Sequence, residues 1–262
     1  MTYLIILFIC LFSSIIGAIC GIGGGVIIKP VFDAFGIMPV KVVSFLSGCT
    51  VLSMSVVSFY KNMRYNTERS FQKEFAVTLA LGSVIGGILG KSWFQKLLLF
   101  FPEQNNVGAV QSAVLLVITV GTLIYTIKKD SIKTFRVHSK AVILFIGIIL
   151  GIMSSFLGIG GGPINLVVLF YLFSMATKEA ALYSIFIIFF SQLSSLLSMI
   201  YTRTIPDFQT VHLLLMISCG VAGGYIGSWF NKKLNDKQVS QLFMFVLILI
   251  VFTCIYNIQK YL

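Results

Sequence analysis

Eight apolar runs free of charged residues account for most of this chain, covering residues 1–28, 42–60, 75–90, 104–127, 141–177, 180–202, 208–231 and 238–259. About 20 mostly apolar residues in a helix cross the roughly 30 Å of bilayer hydrocarbon. The expected fold class is all-α: a polytopic integral membrane protein of about eight transmembrane helices. The run 75–90 is short, and its helix is expected to continue past Lys91 with that lysine snorkelling to the interface. Residues 1–28 carry no basic segment ahead of the apolar run, so they read as a retained span and not as a cleaved signal. The chain is 58% hydrophobic and 10% charged, against roughly 25% charged residues in a soluble domain. A net charge of +11 could suit nucleic acid. The Lys and Arg residues sit in short gaps between apolar runs, however, as in loops facing anionic lipid and cytoplasm. Nucleic acid is therefore excluded as a partner and the lipid bilayer takes its place.

Two of the runs are too long for one helix. Residues 141–177 would make a helix of about 55 Å and residues 1–28 one of about 42 Å, at 1.5 Å per residue. Each contains a glycine cluster: Gly21-Ile22-Gly23-Gly24-Gly25 and Gly158-Ile159-Gly160-Gly161-Gly162. Each helical glycine costs about 1 kcal/mol relative to alanine. Pro163 after the second cluster suits the first turn of a new half-helix. A discontinuous helix is predicted at both places.

The clusters are 137 residues apart, and the same offset relates Lys41 to Lys178, Ser47 to Ser184, and Gly86, Gly87 and Gly90 to Gly223, Gly224 and Gly227. The chain thus reads as two homologous halves with glycine-broken first helices. The first transmembrane repeat is 1–127, a basic connecting loop is 128–140, and the second repeat is 141–262. Paired broken helices in duplicated halves point to a secondary transporter with its site near the membrane midplane.

On these two Gly-x-Gly-Gly-Gly segments, each opening a half, with Pro30 following the first, the chain resembles the sulfite exporter TauE/SafE family, also called the 4-toluene sulfonate uptake permease family. The resemblance covers nearly the whole chain. It implies a multi-pass protein of the cell inner (plasma) membrane that moves small anions, often sulfur-containing, such as sulfite, sulfoacetate or other organosulfonates. The halves depart from each other at Val167 against Pro30 and at Pro163 against Val26, so the two half-sites are not expected to be identical.

A helix N-terminus presents unpaired N–H groups and about half a positive charge, and two such ends converging would make an oxyanion site without arginine. The candidate substrate-binding residues are Gly21, Gly23, Gly24, Gly25 and Lys29 with Ser47, then Gly158, Gly160, Gly161, Gly162 and Asn165 with Ser184 and Gln192. Ser13, Ser14, Thr50, Ser154 and Ser155 lie close by in sequence. Lys29 either meets the anion or snorkels. Gly86, Gly90, Gly223 and Gly227 lie inside continuous spans and read as close helix packing.

Other chemistries fit poorly. Val26 and Pro163 stand where a dinucleotide fingerprint needs glycine. His138 and His212 have no partner at metal-ligand spacing, and the five cysteines read as small apolar side chains. Neither enzyme activity, metal nor cofactor is expected. No acidic residue lies clearly inside a span, so an obvious proton relay is missing, and coupling is left open between substrate protonation, an ion and no ion at all. Eight simple spans would put both termini on one side together with loops 61–73 and 128–140, giving that side 11 Lys and Arg against 8 and favouring termini inside. A re-entrant glycine segment would invert the later assignments. A passive anion channel and a non-transporting assembly component are the rival readings. Self-association into a homo-oligomer is left open.

Overall fold

The computed structural model describes residues 2–65, 72–101 and 104–261. Residues 66–71 of the loop anticipated at 61–73, and the terminal residues Met1 and Leu262, lie outside the described residues. The described chain is helical, in the order α1 (Thr2–Cys20), α2 (Gly25–Phe35), α3 (Val40–Tyr65), α4 (Lys73–Phe100), α5 (Gln104–Lys128), α6 (Lys140–Leu157), α7 (Gly162–Phe173), α8 (Thr177–Tyr201), α9 (Thr210–Lys233) and α10 (Asp236–Tyr261). Eight of these, all except α2 and α7, are long and apolar enough to cross a membrane. The order long, short, long, long, long occurs twice, and each short helix follows a glycine cluster. The chain is a polytopic α-helical membrane protein.

The breaks reverse the chain. Gly24, at the start of α2, packs against Ser13 and Ser14 of α1, and Gly17 faces the backbone of Gly23 and Gly24. A continuous helix would have carried Gly24 about 15 Å beyond Ser14. Instead α2 runs back beside α1, and Phe32 and Ile28 share a core with Ile6 and Cys10. Helices α1 and α2 are therefore a hairpin that returns to the end it came from, and α6 and α7 form its counterpart.

Pairwise contacts fix which ends belong together. At one end, Tyr3 meets His212 at a ring separation of 5.4 Å, Phe45 meets Phe208 at 5.1 Å, and Lys260 Nζ donates to Asp33 O at 3.1 Å. At the other end, Lys140 pairs with Glu74 at 3.1 Å, Lys129 Nζ donates to Ser240 Oγ at 3.1 Å, and the Lys178 N–H donates to Asp236 Oδ1 at 3.0 Å. Both termini lie at the first end, called here the terminal end. The end of α3, the start of α4 and the α5–α6 connection lie at the opposite, basic end. This corrects the arrangement expected from eight simple spans, in which those loops shared a side with the termini. Each half crosses an odd number of times once its first hairpin is discounted, so α1 and α6 start at opposite ends and the halves are inverted.

The halves interlock. The most extensive packing is between α4 and α6, α1 and α9, α3 and α9, α4 and α8, and α5 and α10, all across the halves. Glycine permits the closest of these contacts. A Cβ on Gly90 would lie within 2.9 Å of the Ile152 Cα, and one on Gly227 within 2.7 Å of the Ala18 Cβ. The helical glycines Gly86, Gly90, Gly223 and Gly227 thus serve close packing, as in small-residue membrane interfaces. Helix α4 does continue past Lys91, but Lys91 does not snorkel. It is 3% exposed, with its ammonium 4.7 Å from the Phe94 ring.

Candidate functional site

The two breaks meet at the centre of the bundle. A Cβ on Gly25 would lie 2.7 Å from Ile159 O and 2.8 Å from Ser47 Oγ, and one on Gly23 would lie 3.4 Å from Ile159 O. Gly162 faces Val26 in return. Val51 and Ile188, near the middles of α3 and α8, touch both Gly23 and Gly160. Helices α2 and α7 therefore start next to each other and run apart toward opposite ends. Their positive ends converge, each worth about half a unit charge, and neither N-terminus is capped by a side chain.

Matching backbone geometry underlies the convergence. Gly21 and Gly158 have φ of 76° and 67°, and Gly23 and Gly160 have φ of 78° and 87°. These left-handed values favour glycine. The next position differs: Gly24 is right-handed at −61°, whereas Gly161 is at 82° and Gly162 at 44°. Proline disfavours the α-conformation in the residue before it, so Pro163 accounts for the altered entry into α7.

Polar side chains without partners surround this junction. Ser47, Ser184 and Asn165 are fully buried. Among the described residues, no hydrogen-bond partner reaches Ser47 Oγ, Ser184 Oγ or either amide atom of Asn165. Ser14 and Ser44, packed against Gly24 and Gly158, are likewise unpartnered. An unsatisfied buried polar group costs about 1–3 kcal/mol, so these residues cost stability where they stand.

The remaining anticipated residues separate. Gly21 packs on Ala181, and Gly161 on the side chain of Asn165. Gln192 is spent on helix packing, donating to Ser154 Oγ at 3.2 Å. Lys29 is 3% exposed and does not snorkel. Its ammonium bonds the side-chain carbonyl of Gln111, whose amide is fixed by Phe156 O at 2.8 Å. Two residues of this cluster carry more than the sequence reading assigned them. Gln111 went unremarked, although a polar amide inside an uncharged span is itself a signal. Asp33 follows the uncharged run 1–28 in the sequence, yet it lies inside α2 and is 4% exposed. A buried carboxylate therefore stands on α2, which is not one of the eight candidate spans.

Clefts open at both ends. One of about 400 Å³ at the basic end is lined by residues including Gln72, Glu74, Arg136, His138, Lys140 and Glu179. Another of about 430 Å³ at the terminal end is lined by Asp33, Asn105, Lys260 and Tyr261 among others. A separate small cavity of about 10 Å³, which shares Asp33 with that cleft, is bounded by Asp33, Lys29, Gln111 and Ile159 among others. Among the described residues, no three His, Cys, Asp or Glu side chains cluster as a metal would need.

The sequence matches a known family. The sequence fits the family described as Sulfite exporter TauE/SafE over residues 6–253. The chain belongs to the TauE/SafE family. A relative in Bacillus subtilis (strain 168), described as "Probable membrane transporter protein YunE", is 22% identical over 281 residues and is covered to 98%, as is this chain. No solved structure matches. As a TauE/SafE member with eight potential spans, the protein is a membrane transporter.

Proposed function

We propose that this TauE/SafE transporter is a secondary carrier of small anions, with sulfur oxyanions and organosulfonates as its substrate class, working in the cell inner membrane. Its two repeats are 1–127 and 141–262, joined by 128–140. The observation that carries the reading is the central junction. Two helix N-termini without side-chain caps face one another beside Ser47, Ser184 and Asn165. An anion would satisfy both helix ends and the orphaned hydroxyl and amide donors at once. The family description supports sulfite and its relatives within this class.

The orientation follows from charge. The basic end holds Lys61, Lys73, Lys128, Lys129, Lys133, Arg136, Lys140, Lys178, Lys232, Lys233 and Lys237, whereas Lys41, Lys96, Arg203 and Lys260 mark the terminal end. The positive-inside bias puts the basic end in the cytoplasm and both termini outside. This reverses the orientation expected from eight simple spans. Clefts at opposite ends of a closed junction suit alternating access around one site.

The test is uptake of labelled sulfite, sulfate, sulfonates and unrelated organic anions into proteoliposomes, with and without ion gradients. Saturable movement of sulfur anions is expected. Unsaturable flux indifferent to gradients would favour a channel. No movement of any small anion would leave only a non-transporting component.

A further inference from the structure

The charged cluster on α2 has no counterpart in the other half. The repeat offset pairs Lys29 with Leu166 and Asp33 with Phe170. The cluster comprises Lys29 and Asp33 on α2 and Lys91 on α4, all buried. The Lys91 ammonium lies 4.7 Å from the Phe94 ring, Phe94 shares a core with Phe156, and Gln111, which accepts from Lys29, donates to Phe156 O.

The bonding around Asp33 is unusual for a carboxylate with lysines on two sides. Both Lys29 and Lys260 act on it electrostatically, and α10 also presents Cys254 and Tyr261 to it. Yet each ammonium bonds a neutral oxygen. Lys29 donates to Gln111. Lys260 donates to the Asp33 and Ala34 backbone carbonyls at 3.1 and 3.0 Å, capping the end of α2. The Lys140–Glu74 ion pair lies at the opposite end of the bundle. Asp33 Oδ1 has no partner among the described residues. Helix α5 contributes Gln111, Ser112 and Asn105 to this region, none of which titrates. Asp33 also lines both the terminal-end cleft and the small cavity that reaches Lys29 and Ile159. It stands between water and the junction.

A buried group of charges is tolerated when it sums to zero. With Asp33 ionised, Lys29, Lys91 and Asp33 total one positive charge. With Asp33 protonated they total two. The first state balances a singly charged anion and the second a doubly charged one. We propose that Asp33 is a proton-binding residue, that it takes a proton from the terminal-end cleft, and that the transporter thereby moves doubly charged sulfur anions together with one proton. The proton adds to the carboxylate to give the neutral acid on loading and leaves it on release. The inference rests on the anion-carrier reading above and names the charge of its substrate.

Probes of fixed charge separate the two. Sulfate and sulfoacetate are dianions near neutral pH, and methanesulfonate is a monoanion. Labelled exchange of each is measured first in proteoliposomes at equal pH, then net accumulation is measured across a pH gradient with the membrane potential clamped. Dianion accumulation is expected to rise about tenfold per pH unit toward the alkaline side, the equilibrium set by one coupled proton. Methanesulfonate accumulation should ignore the gradient. Asp33→Asn should retain dianion exchange and lose the gradient effect, and Asp33→Glu should restore it. Exchange of none of the probes overturns the carrier reading itself. Exchange of methanesulfonate alone, gradient-blind dianion accumulation in the wild-type protein, equal gradient response by the monoanion, or wild-type behaviour of Asp33→Asn each overturns the proton inference only. Should Asp33→Asn fail to insert, the wild-type gradient comparison decides alone.

Discussion

Helices α2 and α7 hold equivalent places in an inverted pair, but they carry different chemistry. Both start at a left-handed glycine turn at the bundle centre and run half-way out. Helix α2 then carries Lys29 and Asp33, whereas α7 carries Leu166 and Phe170 and has its polar residue, Asn165, where α2 has Ile28. The two helix ends share one geometry, while buried charge stands on one arm only. In the proposed carrier, the glycine turns would fix where an anion sits, and the α2 arm would set which charge it bears and from which end protons reach it.

The most severe way to break this comparison is to fill the shared geometry. Gly25→Val and Gly162→Val should each lower anion flux by at least about 100-fold, the penalty of displacing a site by an ångström, with insertion into membranes retained. Loss in one arm alone would mean the ends do not act together. The next test exchanges the chemistry. Lys29→Leu makes α2 resemble α7 and should raise the KM for sulfoacetate by about 10–100-fold, the worth of a charged hydrogen bond, whereas Leu166→Met should stay within about twofold. Equal responses would erase the asymmetry.

Smaller effects sharpen the same picture. Asn165→Leu removes two unpartnered amide atoms and should stabilise the fold by about 1–3 kcal/mol, read as a higher Tm in detergent, while lowering flux several-fold. A lower Tm would mean that the amide is structurally satisfied. Gly90→Ala and Gly227→Ala crowd α6 and α1 away from the junction. They should lower stability by about 1–3 kcal/mol and leave the KM of the folded fraction unchanged.

The spans and breaks were legible because lipid permits few solutions: run length, charge gaps and two glycine clusters at one offset leave little freedom. The path of the chain through the breaks was not legible. Length arithmetic shows that residues 141–177 cannot be one helix, but a hairpin and a kinked crossing have the same length, and the choice inverts every later side assignment. Packing of Gly24 on Ser13 and Ser14 decides it, and that contact is tertiary. The charged arm was hidden for a related reason. Reading 1–28 as the uncharged run ended the segment before Lys29, although α2 continues through Asp33 to Phe35. A half-helix buried among other helices can hold charges that a lipid-facing span could not. Ser47, Ser184 and Asn165 could be named from the repeat and from their proximity to the glycines, whereas Gln111 depends on a contact across 82 residues.

The central claim is that an anion sits where α2 and α7 begin. Its most direct test is a crystal structure with selenate, a dianion visible by its own anomalous scattering. A peak within about 3 Å of first-turn N–H groups of both half-helices, beside Ser47 and Asn165, is the predicted result. A peak confined to the Arg136 cleft at the basic end, with the junction between Gly25 and Gly162 closed and empty at saturating selenate, would contradict it.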